Sequence, residues 1–412
     1  MHKTFIGLIG AGLLSLLPSA GAGGLQRAVL AQLAPAPLIG EVQLLRLDAS
    51  LSHAVQTGDF VGLAVAVVRD GEVRLLRTYG ETEAGSGEPV DADTLFRIAS
   101  LSKGFASSMV GLAVSEGRLS LGAPVSGFAP ELALPRGAER SLTLSDILSH
   151  RTGLPPNAYD NLLEAGLSPE DILPQYRKVT PACPVSDCYA YQNIPYDLAG
   201  RALAAAYGAA FSDLVEERLF RPLGMQTATF GLDGLVGSGN WARPHERRRG
   251  ADPADPWRRV EVKLPYYLTP AAGGVNASIR DMARWLNAQL GNMPEVLPPE
   301  VLELVHAPRV GTPAETRRMR SVLPALSASH YAYGWRVYDY AGQTVVAHGG
   351  SVEGYGAQIM FMPQHNTGIV VLSNARSQRL WSIAPLYLDL MLGRAPGDGL
   401  APEGARTAAP SP

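Results

Sequence analysis

Ser100 and Lys103 stand three residues apart in Phe96-Arg97-Ile98-Ala99-Ser100-Leu101-Ser102-Lys103-Gly104-Phe105, at the head of an apolar run. At about 3.6 residues per turn the two side chains share one helix face. A hydroxyl is a poor nucleophile unless a base takes its proton. An amine pressed into an apolar wall loses its preference for charge and becomes such a base. Arginine cannot substitute, because its guanidinium stays protonated. Only four of the 35 basic residues are lysines (Lys3, Lys103, Lys178, Lys263), and Lys103 alone has a serine three positions before it. Taken by itself the pair is equally an ordinary helix start, with Ser100 as N-cap and Lys103 solvated.

Two further groups supply what a serine–lysine pair would need. Tyr191-Gln192-Asn193 precedes a helical pattern. A tyrosine near a lysine can pass a proton to a leaving group, and the Asn193 amide can hold a substrate carbonyl. Tyr159-Asp160-Asn161 has the same spacing, but it lies in a loose loop after Pro156, so Tyr191 is preferred. His348-Gly349-Gly350-Ser351 follows the β-branched run Thr344-Val345-Val346. Glycines at that point let a ligand lie against a strand edge. The backbone N–H of Ser351 can then pair with that of Ser100 as an oxyanion hole. Alone, either motif is more simply a packing aromatic or a turn.

The elements that must carry these groups follow from hydropathy patterning. Glu41 to Val55 has leucines at helical spacing, and Phe60–Val68 and Val73–Tyr79 read as strands joined at Asp70-Gly71. The Ser100 helix is expected to run to about Gly117. From there to about Val260 the pattern is of helices and long loops, including Leu142–Ser149, Asn193–Tyr207 and Ala210–Phe220. A helix over Ser278–Leu290 leads into an irregular, proline-bearing stretch up to about Ser329. Strands return at Tyr333–Tyr338, Thr344–His348, Gly356–Phe361 and Gly368–Ser373, and Gln378–Leu392 closes the chain as a helix. The expectation is an α+β fold: one antiparallel sheet built from both ends of the chain (residues 41–393), flanked by helices, with an inserted helical domain over about 118–260. The site belongs in the cleft between sheet and helices.

Composition limits the partners. The 412 residues are 46% hydrophobic and 18% charged, with a net charge of −3, which gives no broad field for nucleic acid or an anionic membrane. A small molecule or peptide is the expected ligand. His2, Lys3, the apolar run Thr4–Leu17 and the small residues up to Ala22 read as a signal peptide over residues 1–22, implying a periplasmic or secreted protein. No later segment is apolar enough to cross a membrane, so no stable insertion is expected after cleavage. In an oxidising compartment Cys183 and Cys188 are expected to form a short-loop disulfide. Ala28–Pro37 reads as a linker and 394–412 as a disordered tail. No metal or other cofactor is expected. The two thiols lack further ligands, and His245-Glu246 lacks a histidine four residues after His245. Arg247-Arg248-Arg249 reads as a solvated loop. An α/β-hydrolase is disfavoured, since the chain has no Gly-x-Ser-x-Gly.

Ser100-Leu101-Ser102-Lys103, Tyr191-Gln192-Asn193 and His348-Gly349-Gly350 occur in this order, and from about Leu44 to Met391 the chain resembles the serine β-lactamase and penicillin-recognising superfamily. The similar branch holds class C β-lactamases, D-alanyl-D-alanine carboxypeptidases, D-aminopeptidases and β-lactamase-like esterases. Ile147–Pro155, Arg221–Met225, Pro270–Gly274 and Tyr331–Trp335 add to the resemblance, the last with Ala332 where relatives often have glycine. The resemblance implies that Ser100 attacks a carbonyl, Lys103 and Tyr191 share the proton transfers, Asn193 holds the substrate amide, and an acyl-enzyme is hydrolysed by water. His348 departs from the lysine of class C β-lactamases. With an ordinary pKa near 6.5, a histidine is mostly neutral at pH 7 and offers no permanent cation to a substrate carboxylate. The expected activity is therefore hydrolysis of an amide or ester, peptidase- or esterase-like. A true β-lactamase and a penicillin-binding protein of little turnover are the alternatives.

Overall fold

The computed structural model describes residues 40–248, 250 and 256–395. The expected signal peptide, the linker at 28–37 and the tail beyond residue 395 lie outside these residues. The chain opens with α1 (Glu41–Gln56), whose Leu47, Leu51 and Ala54 recur at helical spacing and are buried. The hairpin of β1 (Gly62–Arg69) and β2 (Glu72–Gly80) follows. Its two-residue turn has both residues in the left-handed region, Asp70 at φ 51° and Gly71 at φ 82°, the conformation that matches strand twist.

Next come the two-residue β3 (Phe96–Arg97), a 3₁₀ turn over Ala99–Leu101, and α2 (Ser102–Ser115). The middle of the chain carries α3 (Leu144–Leu148), α4 (Asp160–Glu164) and α5 (Ile194–Tyr207). It also holds three short strands, β4 (Thr229–Phe230), β5 (His245–Arg247) and β6 (Trp257–Arg259), where none was expected. Strands of two or three residues are too short to show a period, so the sequence pattern could not reveal them. Then follow α6 (Pro270–Gly273), β7 (Val275–Ala277) and α7 (Ile279–Gln289).

The stretch read as irregular up to Ser329 contains α8 (Pro299–His306), β8 (Val310–Gly311), α9 (Pro313–Met319) and the start of β9 (Leu326–Tyr331). The strand expected at Tyr333–Tyr338 is displaced: Ala332–Trp335 form a turn, closed by the Ala332 N–H to the Trp335 carbonyl at 2.8 Å, and β10 spans Arg336–Tyr340. β11 (Gln343–Val352), β12 (Tyr355–Met362), β13 (Thr367–Ser373) and α10 (Ile383–Met391) complete the chain.

Eight strands form one antiparallel sheet in the order β2-β1-β13-β12-β11-β10-β9-β8. β1 lies beside β13, with Leu63 opposite Ser373 and Val67 opposite Ile369, so the two ends of the chain close a single sheet. The alternation along β1 sorts its side chains onto two faces. Ala64, Ala66 and Val68 pack with α2 and α7, whereas Leu63, Val65 and Val67 pack with α1 and α10. Each valine or leucine side chain among these contributes roughly 1.5–3 kcal/mol on burial. A third apolar cluster, from Val125 to Leu198, lies within the mostly helical middle of the chain. No helix of the described residues is long and apolar enough to cross a membrane.

Candidate active site

The turn that presents Ser100 is tied at both ends. β3 pairs with β7, Arg97 opposite Asn276, and the Ile98 N–H donates to the Val275 carbonyl. Ala99 then adopts φ 48°, a left-handed conformation that costs a side chain-bearing residue roughly 1–2 kcal/mol. This reverses the chain sharply and leaves Ser100 half-buried at the top of the turn. The Ser102 hydroxyl holds the bend, donating to the Ala99 carbonyl at 2.7 Å and accepting from the Val275 N–H at 3.1 Å. Ser100 is therefore no N-cap: no side chain caps either the turn or α2.

Lys103 is fully buried. Its Nζ lies 3.4 Å from the Ser100 hydroxyl, 2.8 Å from Asn193 Oδ1 and 3.0 Å from the Ala272 carbonyl. Burial drives the ammonium down to about 7, opposed by the charges of Asp160 and Asp197 and assisted by Arg336. A neutral amine has two hydrogens and one lone pair. Here the two strong acceptors take the hydrogens, and the lone pair is left for the Ser100 O–H.

Tyr191 lines the same cavity as Ser100, and burial raises its phenol well above the ordinary value of 10, opposed by its interaction with the Ser100 side chain. Behind it lies the buried ring of His150, centroids 4.4 Å apart, which also touches Tyr196 and Tyr331. His150 Nδ1 accepts the Gln192 N–H at 3.1 Å. Desolvation holds this imidazole well below its usual range, so it is a neutral spacer. Cys183 and Cys188 are joined by a disulfide. The loop they close packs along the His150 segment, with the Ser186 N–H on the Arg151 carbonyl and the Ala190 N–H on the His150 carbonyl. Gln192 turns away from the site and ties down the preceding loop, donating to the Pro155 carbonyl and accepting from the Ala158 N–H.

Asn193 bridges two charged groups. Its Oδ1 faces Lys103, and its Nδ2 donates to Asp160 Oδ2 at 2.6 Å, leaving one amide hydrogen for a ligand. Asp197, on α5, accepts the Ala271 N–H at 2.7 Å and so fixes the α6 turn that aims the Ala272 carbonyl at Lys103. Desolvation pushes its carboxyl up to about 7.

β11 forms the opposite wall. A Cβ on Gly350 would come within 2.3 Å of the Ile98 carbonyl oxygen, so only glycine lets this strand approach the Ser100 turn. The two-residue turn at Glu353-Gly354 makes Val352 and Tyr355 the closing pair of the β11–β12 hairpin. By the alternation of antiparallel ladders, the Ser351 N–H then points away from β12. A cavity of about 390 Å³ is lined by Ser100, Asp160, Glu164, Tyr191, Asn193 and Ser351, among others.

His348 lines a neighbouring cavity of about 440 Å³ instead, together with Arg336, Glu315 and Ser351. Its Nδ1–H donates to the Gly349 carbonyl and its Nε2 accepts from Tyr331, and burial holds the ring well below its usual pKa. Two arginines also line that region, Arg318 at 2.8 Å and Arg336 at 3.2 Å from Glu315.

The structure thus gathers Ser100, Tyr191, Asn193 and Ser351 around one cavity, with Lys103 buried behind Ser100, Gly350 permitting the approach and His348 set to one side. Tyr159, of the disfavoured motif, stacks on Tyr176 in the helical core, yet its neighbour Asp160 reaches the cavity. Asp160, Asp197, His150, Arg336 and Ala272 were not singled out from sequence. For His150 and Ala272 the available signal was the repeated family-like segments around them.

A family model described as Beta-lactamase matches residues 47–387. The D-alanyl-D-alanine-carboxypeptidase/endopeptidase AmpH of Escherichia coli is 29% identical over 255 residues, 60% of this chain and 62% of that protein. Unguisins hydrolase ungD' of Aspergillus campestris is 27% identical over 329 residues, 76% and 58% respectively. Protein flp of Staphylococcus aureus is 23% identical over 342 residues, 81% and 63%. The chain spans about three fifths of the length of these curated relatives. The octameric penicillin-binding protein homologue from Pyrococcus abyssi superposes with a TM-score of 0.75 at 24% identity, over 86% of this chain and 78% of that one, a likeness of fold.

Proposed function

The chain belongs to the beta-lactamase family, and from that premise we propose that it is an exported serine hydrolase that forms an acyl-enzyme on Ser100 and hydrolyses an amide or ester. The observation that carries this reading is the buried Lys103 amine, 3.4 Å from the Ser100 hydroxyl, with both its hydrogens engaged elsewhere. At neutral pH about half of it is uncharged. The Tyr191 phenol, raised by burial, keeps its proton.

These two states divide the work. Ser100 Oγ bonds to the substrate carbonyl carbon as its proton passes to Lys103 Nζ. The oxyanion is held by the Ser100 and Ser351 N–H groups, and the free Asn193 N–H orients the acyl side. As the bond to the leaving group breaks, Tyr191 gives that group a proton and is reprotonated from Lys103. Water then attacks the ester on Ser100 through the same groups in reverse, releasing the acid and the free serine.

The peptidase- or esterase-like reading is kept over a true β-lactamase because His348 is neutral and the two arginines of that region, Arg318 and Arg336, are both already engaged by Glu315. Two relatives, an unguisins hydrolase and a D-alanyl-D-alanine-carboxypeptidase/endopeptidase, are named for hydrolysis, which supports the reading. The test is a mass-spectrometric time course with a penicillin and with a short-chain nitrophenyl ester. Ester turnover through a transient adduct on Ser100, absent in Ser100→Ala, is expected. Rapid turnover of penicillin would make it a β-lactamase, and a long-lived penicillin adduct a penicillin-binding protein. Full activity in Ser100→Ala would refute the mechanism.

A further inference from the structure

The wall of the Ser100 cavity is electrically one-sided. Among the described residues two carboxylates line it, Asp160 and Glu164, and no lysine, arginine or histidine does, the Lys103 amine being buried behind Ser100. Asp160 is 8% exposed. Its Oδ2 accepts from Asn193, while its Oδ1 is buried without a hydrogen-bond partner. An ionised carboxylate is an acceptor at both oxygens, and leaving one unpaired out of water is costly. Glu164 lies one turn further along α4 and accepts the Tyr266 hydroxyl at 2.6 Å.

Two roles compete for Asp160. It can act inward, as a counter-charge reaching Lys103 through Asn193. That role is already shared by Asp197, and its hydrogen-bonded route to Lys103 runs through the oxygen bonded to Asn193. The other oxygen answers to nothing in the described residues, and it belongs to a side chain that lines the ligand cavity beside the amide expected to hold the acyl group.

Resting on the serine hydrolase reading, we infer that Asp160, with Glu164 beside it, recognises a positively charged amine on the acyl side of the substrate, as in an aminoacyl ester or a peptide with a free amino group. The amine donates to Asp160 and its charge offsets the acidic wall, while the carbonyl it accompanies is presented to Ser100. Blocking the amine removes both the donor and the charge.

The experiment compares matched aminoacyl nitrophenyl esters, free and N-acetylated, with wild type, Asp160→Asn and Glu164→Gln. Nitrophenyl acetate serves as an amine-free acyl donor read by mass at Ser100. Wild type is expected to favour the free amine by about 30-fold or more in kcat/KM, as desolvated charge pairs do. Asp160→Asn brings that ratio close to one and Glu164→Gln lowers it partly, with the change carried mainly by KM. Equal use of both esters by wild type overturns the inference, and this arm needs no variant to fold. So does an Asp160→Asn variant that loses the same factor on both esters, since Asp160 would then act only through Asn193 and Lys103. If Ser100 is acylated by nitrophenyl acetate while the free amine is not preferred, the amine site falls and the hydrolase reading stands. If no donor acylates Ser100, both fall.

Discussion

The burial of Lys103 can be read in two measurements that must agree. The fall from 10.5 to about 7 corresponds to a preference for the neutral amine on the order of 5 kcal/mol. An unfolded chain keeps this proton up to about pH 10.4, and the folded one releases it near 7. Between those limits the unfolded state binds one proton more, so this residue makes stability rise with pH, by about 1.4 kcal/mol per unit once above 7. Below 7 both states are protonated and the full cost of the buried charge is present. Lys103→Met has no such proton. The difference in unfolding free energy between wild type and Lys103→Met, from urea denaturation, is therefore expected to move in favour of wild type by about 2 kcal/mol from pH 7 to 9. The same amine should govern acylation. The nitrophenol burst rate of wild type should fall about tenfold per pH unit below 7 and level off above 8, and Lys103→Met should show no burst. Asp160 and Asp197 hold the amine up and Arg336 pushes it down, so their removal would move the midpoint in opposite directions. A stability difference that stays constant with pH, or a burst rate that keeps climbing from pH 8 to 10, would refute a lysine base poised near neutrality.

Two other substitutions probe the support around the site. His150→Ala removes a fully buried ring packed on Tyr191 and takes the acceptor from the Gln192 N–H. It should cost about 2–4 kcal/mol in denaturant unfolding and slow acylation more than tenfold; an unchanged burst rate would show that Tyr191 is held without it. Gly350→Ala sets a Cβ against the Ile98 carbonyl oxygen, backbone that has no free end to move aside. Acylation is expected to fall about 100-fold while stability drops only about 1–3 kcal/mol; retained burst kinetics would mean that β11 need not approach so closely.

Local signals were enough for the frame of the molecule. Asp70-Gly71 between two apolar runs gave the first hairpin, and β-branched runs near the C-terminus gave β11 to β13, because pleat and turn chemistry act between neighbours in sequence. β3, β4 and β7 escaped because they exist only through pairing with one another between distant segments, Arg97 with Asn276 and Thr229 with the same Asn276. The site divides in the same way. A serine three residues before a lysine is a local fact, and it brings the amine near the hydroxyl. Whether that amine is a base is decided by partners on α6 and at the start of α5, 169 and 90 positions away. Ala272 does its part through a carbonyl, which every residue possesses, so no residue type could mark it. Asp160 was legible as an acid but sat in the wrong half of a repeated Tyr-x-Asn pattern. Its importance comes from α4, which turns Tyr159 into the helical core and Asp160 toward Asn193. Spacing along the chain can therefore nominate a nucleophile and a nearby amine, but the base strength and the charge of the substrate wall belong to the packing of distant segments, which is where the experiments on Lys103 and Asp160 exert their force.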